Sequence, residues 1–324
     1  MERQEILERI EEDDKGKRDE LVPWKEVEVV PPSESGGSLQ VNLSGERYSL
    51  TETGAQQFFG KLGIPTNYAK RCPPHLLHQN VDYWLGRIQK EDKSALFRLR
   101  DDVRTIRAVL SDRYAVYNNA DFVPQLFTAV ESLGLVFDQA SLSEDLLLLK
   151  GHFPKFEVEG PSDPHYVGFT AINSEVGKAS VLLAIGLFRE VCTNGATVTV
   201  ASFGMKRKHV GHRGSPYALV NDLRLRTSEV AAQLPSAAES LQNAVIQASN
   251  RGVDENLWVR AQHELGKGYV EELRSGLEGD MGSPSVYDFV DRLTRESQKE
   301  SPERRHLIDN FAGNILVQGQ RLAA

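Results

Sequence analysis

The chain has 324 residues, a formal net charge of −8, 40% hydrophobic and 26% charged residues, and a mean hydropathy of −0.39. That is length enough for a full core, and the acidic total excludes coating of nucleic acid by bulk positive charge while leaving room for a local basic patch. No apolar run reaches the ~20 residues of a membrane span, and the charged first twenty residues lack the apolar segment of a signal peptide, so a cytoplasmic protein without membrane contact is expected.

In chain order, residues 1–22 are acid-rich, with Ile6, Leu7 and Ile10 as a thin apolar stripe. This predicts a charged, solvated N-terminal helix or an oligomer arm. "PPSESGGS" (31–38) is a linker or an inter-strand loop. "LQVNLSGERYSL" alternates on both sides of Ser44-Gly45, as a β-hairpin does. Thr51 is placed to N-cap a helix, "ETGAQQFFGKLG", that stops at Gly63. Pro65 and Pro73-Pro74 open two more helices, the second carrying Leu76, Leu77, Tyr83 and Trp84. "ALFRLR" (95–100) and "VRTIRAVL" (103–110) have period two around Asp101-Asp102, a second hairpin. "NADFVPQLFTAVESLG" (119–134) is an amphipathic helix ended by Gly134. The runs "LLLLKG", "HYVGFTAI", "SVLLAIGLF" and "ATVTVAS" follow as strands, and beyond about residue 217 the helical period returns. The expected fold is α+β: a mainly antiparallel sheet with packed helices over 23–215, then a helical C-terminal region over 216–324.

Chemistry has few places to reside. There is no GxGxxG, Walker, HExxH or GxSxG pattern, so no cofactor and no catalytic residue is assigned. Cys72 and Cys192 form no metal-binding or disulfide pattern, and both are expected to be reduced and buried. Adjacent acids such as Asp13-Asp14, Asp101-Asp102 and Glu144-Asp145 point to opposite faces of a strand, so no metal is assigned to them. The stretch "FGMKRKHVGHRGS" (203–215) gathers Lys206, Arg207, Lys208, Arg213, His209 and His212 with no carboxylate. His209 and His212 lack a third metal ligand. Cations interleaved with glycines suit a loop approaching a polyanion closely, although a charge run can also be plain solvated surface.

"RLRDDVRTIRAVLSDRY" (98–114) adds Arg98 and Arg100 on one strand face, with Phe97 and Leu99 inward, and then Arg104, Arg107 and Arg113. Tyr114 and Tyr117 offer stacking surfaces for bases. In "AINSEVGKAS" (171–180), Asn173, Ser174 and Glu175 lie between two apolar runs. They make a turn with Gly177, or a sheet edge at which Asn173 and Glu175 face a ligand or a neighbouring subunit. "CTNG" (192–195) is a second turn, with Asn194 as another such edge contact.

Five islands, in order, carry a resemblance: "GIPTNYAKRCPPHLL" (63–77), "RAVLSDRYAVYNN" (107–119), "INSEVG" (172–177), "CTNG" (192–195) and "KHVG" (208–211). Together they resemble the DUF932 family of phage/plasmid-like proteins over about residues 50–320. The resemblance implies a setting in mobile-element DNA metabolism and supplies no agreed catalytic residues. A more distant analogy is to the Redβ-like single-strand annealing proteins, whose oligomers hold DNA in a basic groove on a sheet-and-helix core.

The expectation is a non-enzymatic, homo-oligomeric single-stranded DNA-binding protein with annealing or recombination-mediator activity. Lys206, Arg207, Lys208, Arg213, Arg104, Arg107 and Arg113 would contact phosphates, with His209, His212 and Tyr114 hydrogen-bonding or stacking. The alternatives are an interaction or regulatory protein of a phage or plasmid that binds no DNA, and a metal-dependent nuclease using acids around Glu175 and His209.

Overall fold

The computed structural model describes residues 3–31, 39–161, 165–189, 196–211, 225, 228–230, 232–281 and 283–321. Two sheets organise it. The first joins β1 (Lys17–Pro23), β2 (Val27–Val30), β3 (Gln40–Leu43), β4 (Glu46–Leu50), β5 (Ser94–Arg100) and β6 (Thr105–Ser111) in the order β1-β5-β6-β4-β3-β2. Its pairings are antiparallel except the short β4–β6 contact. Ser44 and Gly45 both have positive φ, the two-residue turn whose twist matches its flanking strands. α2 (Glu52–Lys61) begins where the Thr51 side chain accepts the Gly54 N–H, and the chain leaves it at left-handed Gly63. It packs so closely on β6 that a Cβ at Gly54 would lie 2.3 Å from the Ile106 carbonyl oxygen. α3 (Thr66–Ala69) and α4 (Pro74–Ile88) follow. Trp24, Phe58, Val81, Leu85, Phe97 and Leu99 fill the core between these helices and the sheet.

The second sheet is an antiparallel meander of β7 (Val136–Leu142), β8 (Leu147–Val158), β9 (His165–Asn173), β10 (Val181–Arg189) and β11 (Ala196–Arg207), ordered β11-β10-β9-β8-β7. It shares the largest core with α1 (Arg3–Asp14), α5 (Asn119–Val130) and the C-terminal helices. The latter are α6 (Leu234–Ser249), α7 (Glu255–Leu265), α8 (Lys267–Met281), α9 (Val286–Ser297) and α10 (Pro302–Arg321). α9 starts with a reciprocal capping box between Ser285 and Asp288 and sets Phe289 edge-on to Trp258 at 5.0 Å. The fold is therefore α+β with antiparallel-rich sheets and a helical C-terminal region. No helix among the described residues is long and apolar enough to cross a membrane.

Three expectations need correcting. The N-terminal segment is no free arm: Ile6 and Ile10, one turn apart, are buried in the main core, and β1 pairs with β5 along its whole length. Two well-placed isoleucines suffice to dock a helix whose other faces are solvated acids. Arg98 is not on an exposed face, because β5 is covered on both sides. Lys206 and Arg207 are not in a loop. They end β11, opposite Leu182 and Val181. Most of the 31–38 linker and the "CTNG" turn, with Cys192 and Asn194, lie outside the described residues. Cys72 is half-buried and free.

Candidate functional site

Three of the sequence islands, distant along the chain, meet where the first sheet abuts the turn after β9 and the segment after β11. Leu96, Ala108 and Leu110 from β5 and β6 pack against Tyr114 and Val116 from the following segment and Val176 from the turn after β9. The ladder slips at this point: Arg98 opposes Ala108, whereas Leu99 opposes Ile106. Arg107 is thus the extra residue of a β-bulge, a device that re-aims a side chain. Ile106 and Val109 stay in the α2–α4 core, while the Arg107 guanidinium reaches the junction and donates to Glu175 at 2.9 Å and to Glu144 at 2.6 Å.

Glu175 is the centre of this junction and is 2% exposed. One carboxylate oxygen accepts from Arg107 and from Lys17 Nζ at 2.9 Å; the other accepts the Asn119 N–H at 2.8 Å. Its backbone carbonyl accepts from Arg98 at 2.5 Å. Arg98 is itself held by Asp19 at 2.7 and 3.0 Å and by Asn118. Burial alone would raise the Glu175 pKa, but Lys17, Arg98, Arg107 and the Asn119 amide outweigh it and hold the group at about 2. Burial likewise disfavours charge on Arg107, yet the carboxylates of Glu175 and Glu144 leave its pKa raised. Asn173, fully buried, donates to the Tyr117 carbonyl and to Asn119 Oδ1, both at 2.9 Å.

Beside the junction opens a cleft of about 620 Å³, whose lining includes Lys61, Ser111, Tyr114, Lys178, Lys208 and His209. The His209 and Tyr114 rings stack in parallel, with centroids 4.9 Å apart. His209 Nδ1 lies 3.0 Å from the Ala115 carbonyl oxygen. A carbonyl only accepts, so Nδ1 carries the proton and Nε2 of the neutral ring is bare. Nε2 is buried without a hydrogen-bond partner. Burial pushes the His209 pKa down to about 4, against the upward pull of the Ala115 hydrogen bond and with a further push from Arg98.

The chain matches no protein-family model, no curated protein and no solved structure. Any functional reading therefore stands on this geometry and the sequence.

His209 makes stability depend on pH with a definite sign. Between the ordinary value of 6.5 and the folded value of about 4, the unfolded chain binds the extra proton, so stability falls as pH drops through that window. Urea titrations at pH 7 and pH 5 are expected to show wild type losing about 2 kcal/mol more than His209→Phe across that interval. Parallel losses in the two proteins would disprove the assignment.

The expected site residues divide. Lys206, Arg207 and Lys208 are exposed, and neither Lys206 nor Lys208 pairs with a described carboxylate. Arg113 is exposed with no ion pair to a described residue. Arg104, in the β5–β6 turn at φ 51°, pairs with Glu46 at 2.7 Å and lies over the Tyr48 ring. Arg107 is excluded from phosphate contact, because its guanidinium is buried and held by two carboxylates. Tyr114 is buried as well, and donates its hydroxyl to the Ser174 carbonyl at 3.0 Å, so it offers no open ring face to a base. Asn173 and Glu175 do not face a ligand or a neighbouring subunit from a sheet edge: both are sealed inside the junction. The 174–177 segment is the expected turn, with Gly177 at positive φ, but the first sheet covers it: Lys17, Arg98 and Arg107 close over Glu175. His212 and Arg213 lie outside the described residues. Among the described residues no three His, Cys, Asp or Glu side chains stand together as a metal site.

Lys61, at the end of α2, and Lys178, just after Gly177, were not singled out from the sequence. Isolated lysines carry no pattern, and only the tertiary fold brings them to the same cleft as Lys208.

Proposed function

We propose that the protein binds single-stranded DNA along the cationic cleft, as a homo-oligomeric annealing or recombination-mediator protein of the cytoplasm. One observation carries this reading: Lys61, Lys178 and Lys208 surround one cleft, and none pairs with a described carboxylate in a chain of net charge −8. Lys206, two residues before Lys208, and Arg113, next to Tyr114, extend the set. The arginines of β5 and β6, by contrast, have carboxylate partners: Arg98 with Asp19, Arg100 with Asp13, and Arg107 with Glu144 and Glu175. The first sheet's arginines are thus paired with acids, while the cleft lysines have no described carboxylate partner, Lys178 donating to the neutral Gln56 amide at 2.7 Å; cations without a paired acid are the condition for phosphate neutralisation and counterion release.

Annealing needs no nucleophile. It needs strands held by their backbones with their bases free to pair, which suits flexible lysines better than a rigid catalytic pocket. Glu175, the acid a nuclease reading would use, has both carboxylate oxygens occupied by Lys17, Arg107 and Asn119. The resemblance to phage/plasmid-like proteins supplies a matching setting, and assembly of copies would join the clefts into a track.

The test is a fluorescence-anisotropy titration with a long oligo(dT). For four phosphate contacts, affinity is expected to fall roughly 50-fold between ~50 and ~200 mM salt. Lys206→Glu and Lys208→Glu should each flatten the log–log slope by about 0.7. No binding at the lower salt, or variants with unchanged slope, would overturn the reading.

A further inference from the structure

The cleft offers cations but no open aromatic surface, since Tyr114 and His209 stack on each other. Among the described residues the exposed aromatics lie elsewhere, on α3 and α4. Tyr83 is 61% and Trp84 40% exposed, with Leu76 and Tyr68 also open to solvent. Tyr83 and Trp84 stand edge to face with centroids 5.2 Å apart, and the Arg87 guanidinium lies 5.3 Å from the Trp84 ring centre. Tyr68 is fixed beside them, its hydroxyl accepting from Asn80 at 2.9 Å. At about 100° per residue, Leu76, Tyr83, Arg87 and Trp84 share an arc of roughly 100° on α4. Asp82, the one acid of that helix, points about 160° away from Trp84.

We propose that this face of α4 is a stacking platform for the unpaired bases of a single-stranded polynucleotide, an inference that rests on the reading of the cleft as a DNA site. Open rings with a guanidinium held over the indole combine a π surface with positive charge, the pairing by which sequence-tolerant single-strand sites hold bases. Arg71 and Lys90, exposed at either end of the segment, pair with no described carboxylate and add to the complementarity. Tyr68 is also near the cleft along the chain. Lys61 on the cleft and Tyr68 are seven positions apart, so their Cα atoms are at most about 25 Å apart. On this proposal one strand lies with its phosphates at the lysines and its bases on the aromatics.

The experiment uses intrinsic fluorescence. Of three tryptophans, Trp24 and Trp258 are 2% exposed, so a static quench on adding oligo(dT) reports Trp84. Binding is expected to quench that emission. Tyr83→Ala and Trp84→Ala are expected to weaken binding by about 5- to 100-fold each without changing the salt slope, whereas Lys206→Glu and Lys208→Glu change the slope. Salt-dependent binding with no quench, and with alanine variants as tight as wild type, overturns the platform and leaves the cleft reading standing. No binding by wild type at low salt overturns both. Should Trp84→Ala instead dissociate an oligomer in sedimentation while oligo(dT) affinity holds, the face is an interface between copies and the proposal fails.

Discussion

Glu175→Gln is expected to cost about 3–5 kcal/mol of folding stability, because it leaves buried cations without the carboxylate they share. Glu144→Gln is the control. Glu144 pairs with the same arginine, but its side chain is 41% exposed, so the loss should stay below about 1 kcal/mol. Urea denaturation of the two variants at pH 7 decides the matter, and equal losses would show that the junction does not depend on its central charge. The pH dependence has a fixed sign. With the Glu175 pKa depressed from 4.5 to about 2, its contribution is complete above pH 4.5 and is lost as pH falls through 2. Wild type should lose this stability in that acid window, and Glu175→Gln, having no carboxyl to protonate there, should not.

Deleting residues 3–23 is expected to abolish cooperative folding. The deletion removes Ile6 and Ile10 from the main core, each worth about 1.5–3 kcal/mol of apolar burial. It takes Asp19 from Arg98 and Lys17 from Glu175, each break costing about 3–5 kcal/mol, and it turns β5 into an unpaired edge. These losses together rival the entire stability of a domain, about 5–15 kcal/mol. Far-UV circular dichroism and urea titration of the truncated chain check this. A soluble truncated protein with a sharp unfolding transition would show that the N-terminal segment is dispensable.

Much of the fold was legible because local chemistry dictates it. Thr51 caps the helix it precedes, Ser44-Gly45 turns the first hairpin, Gly134 follows α5 at positive φ, and the period of two gave β5 and β6. The junction was not legible because its partners are far apart in the chain. Arg98 meets Asp19 across 79 positions and Glu175 meets Lys17 across 158, so strand alternation alone put Arg98 in solvent. The bulge at Arg107 was equally hidden, since a one-residue slip in a ladder leaves no composition signal. The N-terminal helix misled for the opposite reason: its charge dominates its sequence, while two isoleucines decide where it sits. The cationic cluster of 206–208 was visible as a run, and its partners Lys61 and Lys178 were not.

The junction also has a consequence for synthesis. At about 5–20 residues per second, a ribosome needs roughly 8–30 s to travel the 158 positions from Lys17 to Glu175. During that interval the emerging N-terminal third carries Lys17, Arg98 and Arg107 with their shared anion not yet made. The first sheet can acquire its strands early, but its junction with the second stays incomplete until the turn after β9 leaves the exit tunnel. A nascent chain stalled before that turn therefore keeps three buried cations without their common carboxylate, and Glu175 completes a junction that Glu144 and Asp145 have begun.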